Sequence, residues 1–204
     1  MGNYSYLSFT ADLTFNAESE SPTLSSKYHI PIFWFALFAA SDMLVRQYPG
    51  EEGDHEPWPD LVKNRRAAIE LFISRKPFLV AKFPQIDEFW LTQFVAFLEA
   101  APDSYVSLDY SQVVGDVFSG ASWADELRGI LKMFEVPMSH TKAFLGFSWF
   151  GKPPNYGLVS YMNFFGTEFA SYRARQPWAY TGHGIEALDE LFFNPPSDLF
   201  TREK

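Results

Sequence analysis

Bulky aromatic side chains set the folding problem for this chain. It carries 22 Phe, 10 Tyr and 6 Trp among 204 residues, and it has no cysteine with which to staple them together. Each such ring removes about 150–250 Å² from water when it is buried. A chain so supplied can build a large core without disulfide or metal. The remaining composition, 47% apolar and 20% charged, is that of an ordinary globular protein, and the length suits a single domain.

The missing cysteine excludes thiolate chemistry and Cys-ligated zinc, and it is compatible with a reducing cytosol. No basic and apolar leader opens the chain, and Tyr6 stands where N-myristoylation reads Ser or Thr. The most apolar stretch, Ile30 to Ala40, falls short of the roughly 20 residues a bilayer helix needs. It is expected in the core. The location expected is cytoplasmic, with no membrane partner.

Charge narrows the partners further. The net charge is −9, and the 16 basic residues are scattered; the densest group is Lys63, Arg65 and Arg66. Nucleic acid needs clustered Lys and Arg against its phosphates, so no nucleic-acid partner is expected. A basic protein suits the charge better.

Along the chain, Tyr4 to Thr10 alternates in the manner of a half-buried strand, continuing briefly through Leu13 and Phe15. Asn16 to Lys27 is polar and reads as a loop. Pro31 suits the first turn of a helix running to about Arg46. Pro49 to Pro59 reads as an acidic surface loop, and Asp60 as the cap of a following helix that Pro77 ends. Phe78 to Phe83 reads as a short strand. Asp87 then caps an amphipathic helix with the stripe Trp90, Phe94, Phe97, Leu98 and Ala101.

Tyr105 to Tyr110 alternates again. Ser122 and Asp125 resemble a capping box before a helix with the stripe Trp123, Leu127, Ile130, Leu131 and Phe134. Ala143 to Phe150 and Tyr156 to Phe165 look like a hairpin across Gly151 to Asn155. Ile185 to Phe193 reads as a short helix, and the tail from about residue 195 as frayed. Strands and helices in this mixed order indicate an α+β domain, with a mixed or antiparallel sheet against several amphipathic helices.

Chemistry is sparse. There is no Gly-rich phosphate loop, and Gly-Phe-Ser-Trp-Phe at 146–150 lacks the closing Gly of a nucleophile elbow. The four histidines are far apart in sequence. No catalytic residue, metal ligand or cofactor is assigned. Thr181-Gly182-His183-Gly184 is the most site-like small motif, since its glycines let backbone N–H groups approach a ligand. Asp109, on a polar strand face, is a general base only if buried. The acid-rich stretch is the stronger candidate: Glu51, Glu52, Asp54, Glu56 and Asp60 repel one another until something cationic meets them. Trp58, held between two prolines, has the character of an interface anchor.

Several short motifs together resemble a group of bacterial proteins found near polymorphic toxin genes. They are Asn-Tyr-Ser-Tyr-Leu at 3–7, Ile-Pro-Ile at 30–32, Phe-Leu-Glu at 97–99, Tyr-Val-Ser-Leu-Asp at 105–109 and Trp-Phe-Gly at 149–151. The resemblance implies a cytosolic α+β domain from the neighbourhood of toxin–immunity systems. The acidic stretch and the Phe-rich helices depart from that pattern. The expectation is therefore a non-enzymatic, immunity-type protein that occludes a basic toxin through Glu51, Glu52, Asp54, Glu56, Trp58 and Asp60. The alternative is a small enzyme or ligand-binding domain with an aromatic-lined pocket that uses Asp109, His183 and Tyr180.

Overall fold

The computed structural model describes residues 4–11, 13, 23–27, 30–49, 55–83, 86–114, 120–132, 134–135 and 176–193. In chain order the elements are β1 (Tyr4–Thr10), β2 (Leu24–Lys27), α1 (Ile32–Phe35), a 3-10 turn (Ala40–Asp42), β3 (Met43–Pro49), β4 (His55–Asn64) and α2 (Arg65–Lys82). Then come α3 (Glu88–Ala100), β5 (Tyr105–Asp109), α4 (Ser111–Val114), α5 (Gly120–Lys132), α6 (Trp178–Thr181) and α7 (Glu186–Phe193). The strands form one five-stranded sheet in the order β2-β1-β5-β4-β3, antiparallel throughout. The fold is α+β.

Register explains which face is apolar. Leu24, Leu7, Leu108, Leu61 and Met43 are successive cross-strand partners, so one row of aliphatic side chains crosses the whole sheet. Successive residues of a strand point to opposite faces, and one residue along, Ser25, Tyr6 and Asp109 form a polar row. Leu7, Leu24, Leu61 and Leu108 are fully buried.

Aromatic rings complete the core. Phe33 of α1 meets Phe72 of α2 at 5.3 Å, Phe94 of α3 at 5.4 Å and Tyr180 of α6 at 5.9 Å between centroids. Tyr180 stacks on Trp90 at 5.6 Å. Tilted and edge-on pairs of this kind add about 0.5–1.5 kcal/mol each beyond their buried area. The stripe expected on α3 is the face that packs, with Trp90, Phe94, Leu98 and Ala101 buried and Phe97 half-buried. Asp87 caps that helix by accepting from the Phe89 N–H at 2.8 Å. The α5 stripe likewise buries Trp123, Leu127, Ile130 and Leu131.

Other expectations are corrected. The helix expected from Pro31 to Arg46 is a single turn, α1, followed by the 3-10 turn and β3. Ile32 to Phe38 are each at most 2% exposed. A segment buried on every side has no polar face, so its period carries no helical signal. Its backbone is held from outside instead. The Arg75 guanidinium donates to the carbonyls of Ala36 at 3.2 Å and Phe38 at 2.6 Å. Burial pushes this guanidinium down to about 10, against the opposing pull of Glu135 and Asp42, so it keeps its charge at neutral pH.

Pro77 does not end α2; it lies inside it, and Phe78 to Lys82 are helical rather than a strand. The N–H that proline lacks would have bonded the Ile73 carbonyl one turn earlier. Ile73 and Pro77 are both exposed, so water can serve that carbonyl. Asn64, not Asp60, caps α2, accepting from the Ala67 N–H at 3.2 Å. The capping box expected at Ser122 and Asp125 is absent: α5 begins at Gly120, and Asp125 pairs with Arg128 at 2.7 Å within the helix. The polar run ending at Lys27 contains β2, and β1 stops at Thr10 without reaching Leu13. The hairpin expected across 143–165 and the frayed tail lie outside the described residues.

Candidate functional site at the two edges of the sheet

The acid-rich stretch is not one loop. His55 to Pro59 belong to β4 and pair with β3, from Pro49 opposite His55 to Val45 opposite Pro59. Two prolines in a strand need an explanation, because each lacks a ladder N–H. Strand β4 pairs with β5 only from Leu61 to Asn64. Pro57 and Pro59 are two residues apart, so their missing N–H groups fall on one edge, the one that β5 leaves open there. The carbonyls on that edge confirm it. The Tyr110 hydroxyl donates to the Pro59 carbonyl, and Gly120 of α5 sits so close to the Pro57 carbonyl that an added Cβ would lie 2.0 Å from it.

The six residues expected to bind a partner divide into two groups. Trp58 is 7% exposed and Asp60 is 3% exposed. The Asp60 carboxylate faces the Arg46 Nε at 3.3 Å, and the Arg46 Nη2 donates to the Leu13 carbonyl at 2.9 Å. Both Trp58 and Asp60 are committed to the fold, and the surface role expected of them is corrected. Their alternation with prolines 57 and 59 hid a buried strand face. Glu56 lies in β4 opposite Tyr48. Glu51, Glu52 and Asp54 lie outside the described residues, in the short stretch that connects Pro49 to its cross-strand partner His55. Further down the β3–β4 hairpin, Lys63 pairs with Asp42 at 2.7 Å, and Asp42 also accepts from the Ala39 N–H.

Strand β3 is the outermost strand of the sheet among the described residues. Val45 is 66% exposed and Leu44 is 36% exposed. The one charge on β3, Arg46, is turned back over β4 toward Asp60.

The opposite edge is built differently. Ser25 of β2 and His183 exchange both backbone bonds, 2.9 Å in one direction and 2.8 Å in the other. Two glycines make this possible: Gly182 has φ +75° and Gly184 has φ +122°. A Cβ on Gly182 would also lie 2.4 Å from the Trp34 ring. Trp34 anchors the same turn by donating its Nε1–H to the Thr181 carbonyl at 2.8 Å. The imidazole of His183 stacks on Trp178 at 5.3 Å, and its Nδ1 lies 3.0 Å from the Asp189 carboxylate. The other oxygen of Asp189 accepts from the Gly184 N–H at 2.8 Å. Sequence reasoning missed Asp189. Its signal is an acid in the first turn of α7, six residues after His183.

A histidine oriented by a carboxylate can move protons, but the groups expected beside it are elsewhere. Tyr180 is fully buried among Phe33, Phe83 and Trp90. Asp109 accepts from the N–H and hydroxyl of Ser111, at 3.0 Å and 2.8 Å. His183, Ser25, Tyr6 and Asp109 are successive partners along one row. Three strand spacings therefore separate His183 from Asp109, about 14 Å.

Among the described residues no three His, Asp or Glu side chains are placed to hold a metal ion, and no helix is long and apolar enough to cross a membrane. Compared with family models, curated proteins and solved structures, the chain matches none.

Proposed function

We propose that this protein is an immunity-type binder of bacterial cytoplasm, which neutralises a basic toxin by covering its working surface and transforms no substrate. The observation that carries this reading is the acidic run in the sequence, Glu51, Glu52, Asp54 and Glu56, in a chain of net charge −9. The described cations of the β3–β4 hairpin, Arg46 and Lys63, are already paired with Asp60 and Asp42. Glu51, Glu52 and Asp54 have no Lys or Arg among their sequence neighbours from Gly50 to Pro59. A toxin domain that cuts nucleic acid carries a basic surface, and opposite charge speeds its capture. Trp58 and Asp60 support the hairpin from within and do not contact the partner.

Co-expression with the product of the adjacent gene tests the reading. Rescue of growth together with a stoichiometric complex is the expected result. Replacing Glu51, Glu52, Asp54 and Glu56 together by Gln should weaken the complex, and added salt should do the same. An affinity indifferent to all four would remove the epitope.

A further inference from the structure

We propose that one face of β2, β1 and β5 is a carbohydrate-binding site, where a neutral sugar chain lies along the row His183, Ser25, Tyr6 and Asp109. It involves none of the residues of the acidic run and does not rest on the reading above.

These four residues are directly opposed partners: His183 with Ser25, Ser25 with Tyr6, and Tyr6 with Asp109. Their side chains therefore share one face. It is the face opposite the buried row Leu24, Leu7 and Leu108, and all four residues are half-buried. Each end of the row is held by a further group. At one end both bonds from Ser111, its N–H at 3.0 Å and its hydroxyl at 2.8 Å, fall on Oδ1 of Asp109. Oδ2 is then the acceptor for a ligand hydroxyl. At the other end Asp189 meets Nδ1 of His183 at 3.0 Å, and Trp178 lies parallel to the imidazole. Side chains fixed in this way meet a ligand without first losing rotamer freedom.

Between the two ends stands an aromatic ring. Tyr4 stacks on Tyr6 at 6.1 Å between centroids, 19° from parallel, and so takes up one side of that ring. On its other side the next residue of this face is Ser8, which is small and half-buried. That leaves room for a ligand ring against Tyr6. A pyranose has an apolar C–H face and a rim of hydroxyls. The row has the matching order, an aromatic ring at the centre with hydroxyl, imidazole and carboxylate around it.

Charge selects a neutral ligand. Asp109 repels an anion on one side of Tyr6. On the other side Lys27, whose Nζ lies 5.8 Å from the Tyr4 ring centroid, repels a cation. Length selects a chain rather than one sugar, since the row spans about 14 Å.

The test titrates the full chain with maltotriose, cellotriose and the trimer of N-acetylglucosamine, and reads backbone amide shifts by NMR. At least one should bind at millimolar concentration or below and shift the amides of Tyr6, Ser25 and Asp109. Tyr6→Ala should weaken it by about tenfold or more. Asp109→Asn, which keeps an oxygen for Ser111, should weaken it by about tenfold, and Tyr6→Phe, which keeps the ring, by about threefold. An arginine–serine peptide of similar length should not compete. Four results would overturn the proposal: no trisaccharide binds, the shifts fall away from these strands, affinity is unchanged in both Tyr6→Phe and Asp109→Asn, or the peptide takes the row in place of the sugar. The last would make this face a protein-binding surface.

Discussion

The two ends of the sheet solve one problem in opposite ways. At β2 the chain returns from far along the sequence and closes the edge with His183, held by Ser25, Asp189 and Trp178. At β3 apolar side chains remain in water and the strand's own charge is turned inward. The difference teaches where rigidity has been placed. The β2 edge depends on two glycines at positive φ and a tryptophan anchor, features that tolerate little change. Among the described residues, β3 is held by its pairing with β4 and by the bond from Arg46 to the Leu13 carbonyl.

Substitutions can break or sharpen that contrast. The largest effect is expected from Gly182→Ala. It combines backbone strain at φ +75° with a methyl 2.4 Å from the Trp34 ring, and should cost about 4 kcal/mol. Chemical denaturation reads it, and a near-neutral result would mean that the β2 closure does not bear on stability. Next is Asp60→Ala, which leaves the Arg46 guanidinium without its carboxylate in a largely buried setting and should cost about 3 kcal/mol. It tests whether the β3–β4 hairpin is held from within. His183→Ala removes the Asp189 contact and the Trp178 stack but keeps the backbone bridge. A loss of about 1 kcal/mol is expected, with faster exchange at the Ser25 amide. Smallest is Val45→Lys, expected to shift stability by no more than about 0.5 kcal/mol. A large loss there would show that β3 is part of the core rather than a free edge.

Legibility in the sequence followed the environment of each segment. The helices α3 and α5 were readable because each has one buried face and one wet face, so Trp90, Phe94 and Leu98, or Trp123, Leu127 and Leu131, recur at helical spacing. Strand β1 was readable for the same reason at a period of two, whereas in β5 the residue alternation is present although Ser107 on its polar face is buried as well. Ile32 to Phe38 carried no period because water touches none of it. Prolines misled twice. Pro77 reads as a terminator, yet its ring and the carbonyl it frees lie at the surface of α2. Pro57 and Pro59 read as part of a loop, yet both lie on the strand edge that β5 does not reach. Of the candidate site, only the acid content was visible. Burial of Trp58 and the Arg46–Asp60 pair depend on a partner strand that local sequence does not name.

The amino-acid order by itself determined that this chain builds an aromatic core without staples, carries a strongly negative balance, and pairs amphipathic helices with alternating strands. Those properties follow from composition and from local period, which each segment possesses alone. Tertiary structure decided which edge of the sheet is closed, which acids are committed to the fold, and which aliphatic groups stay in water. These depend on contacts between residues far apart in the chain, such as Ser25 with His183 and Arg46 with Asp60, and no local pattern encodes a meeting between distant segments.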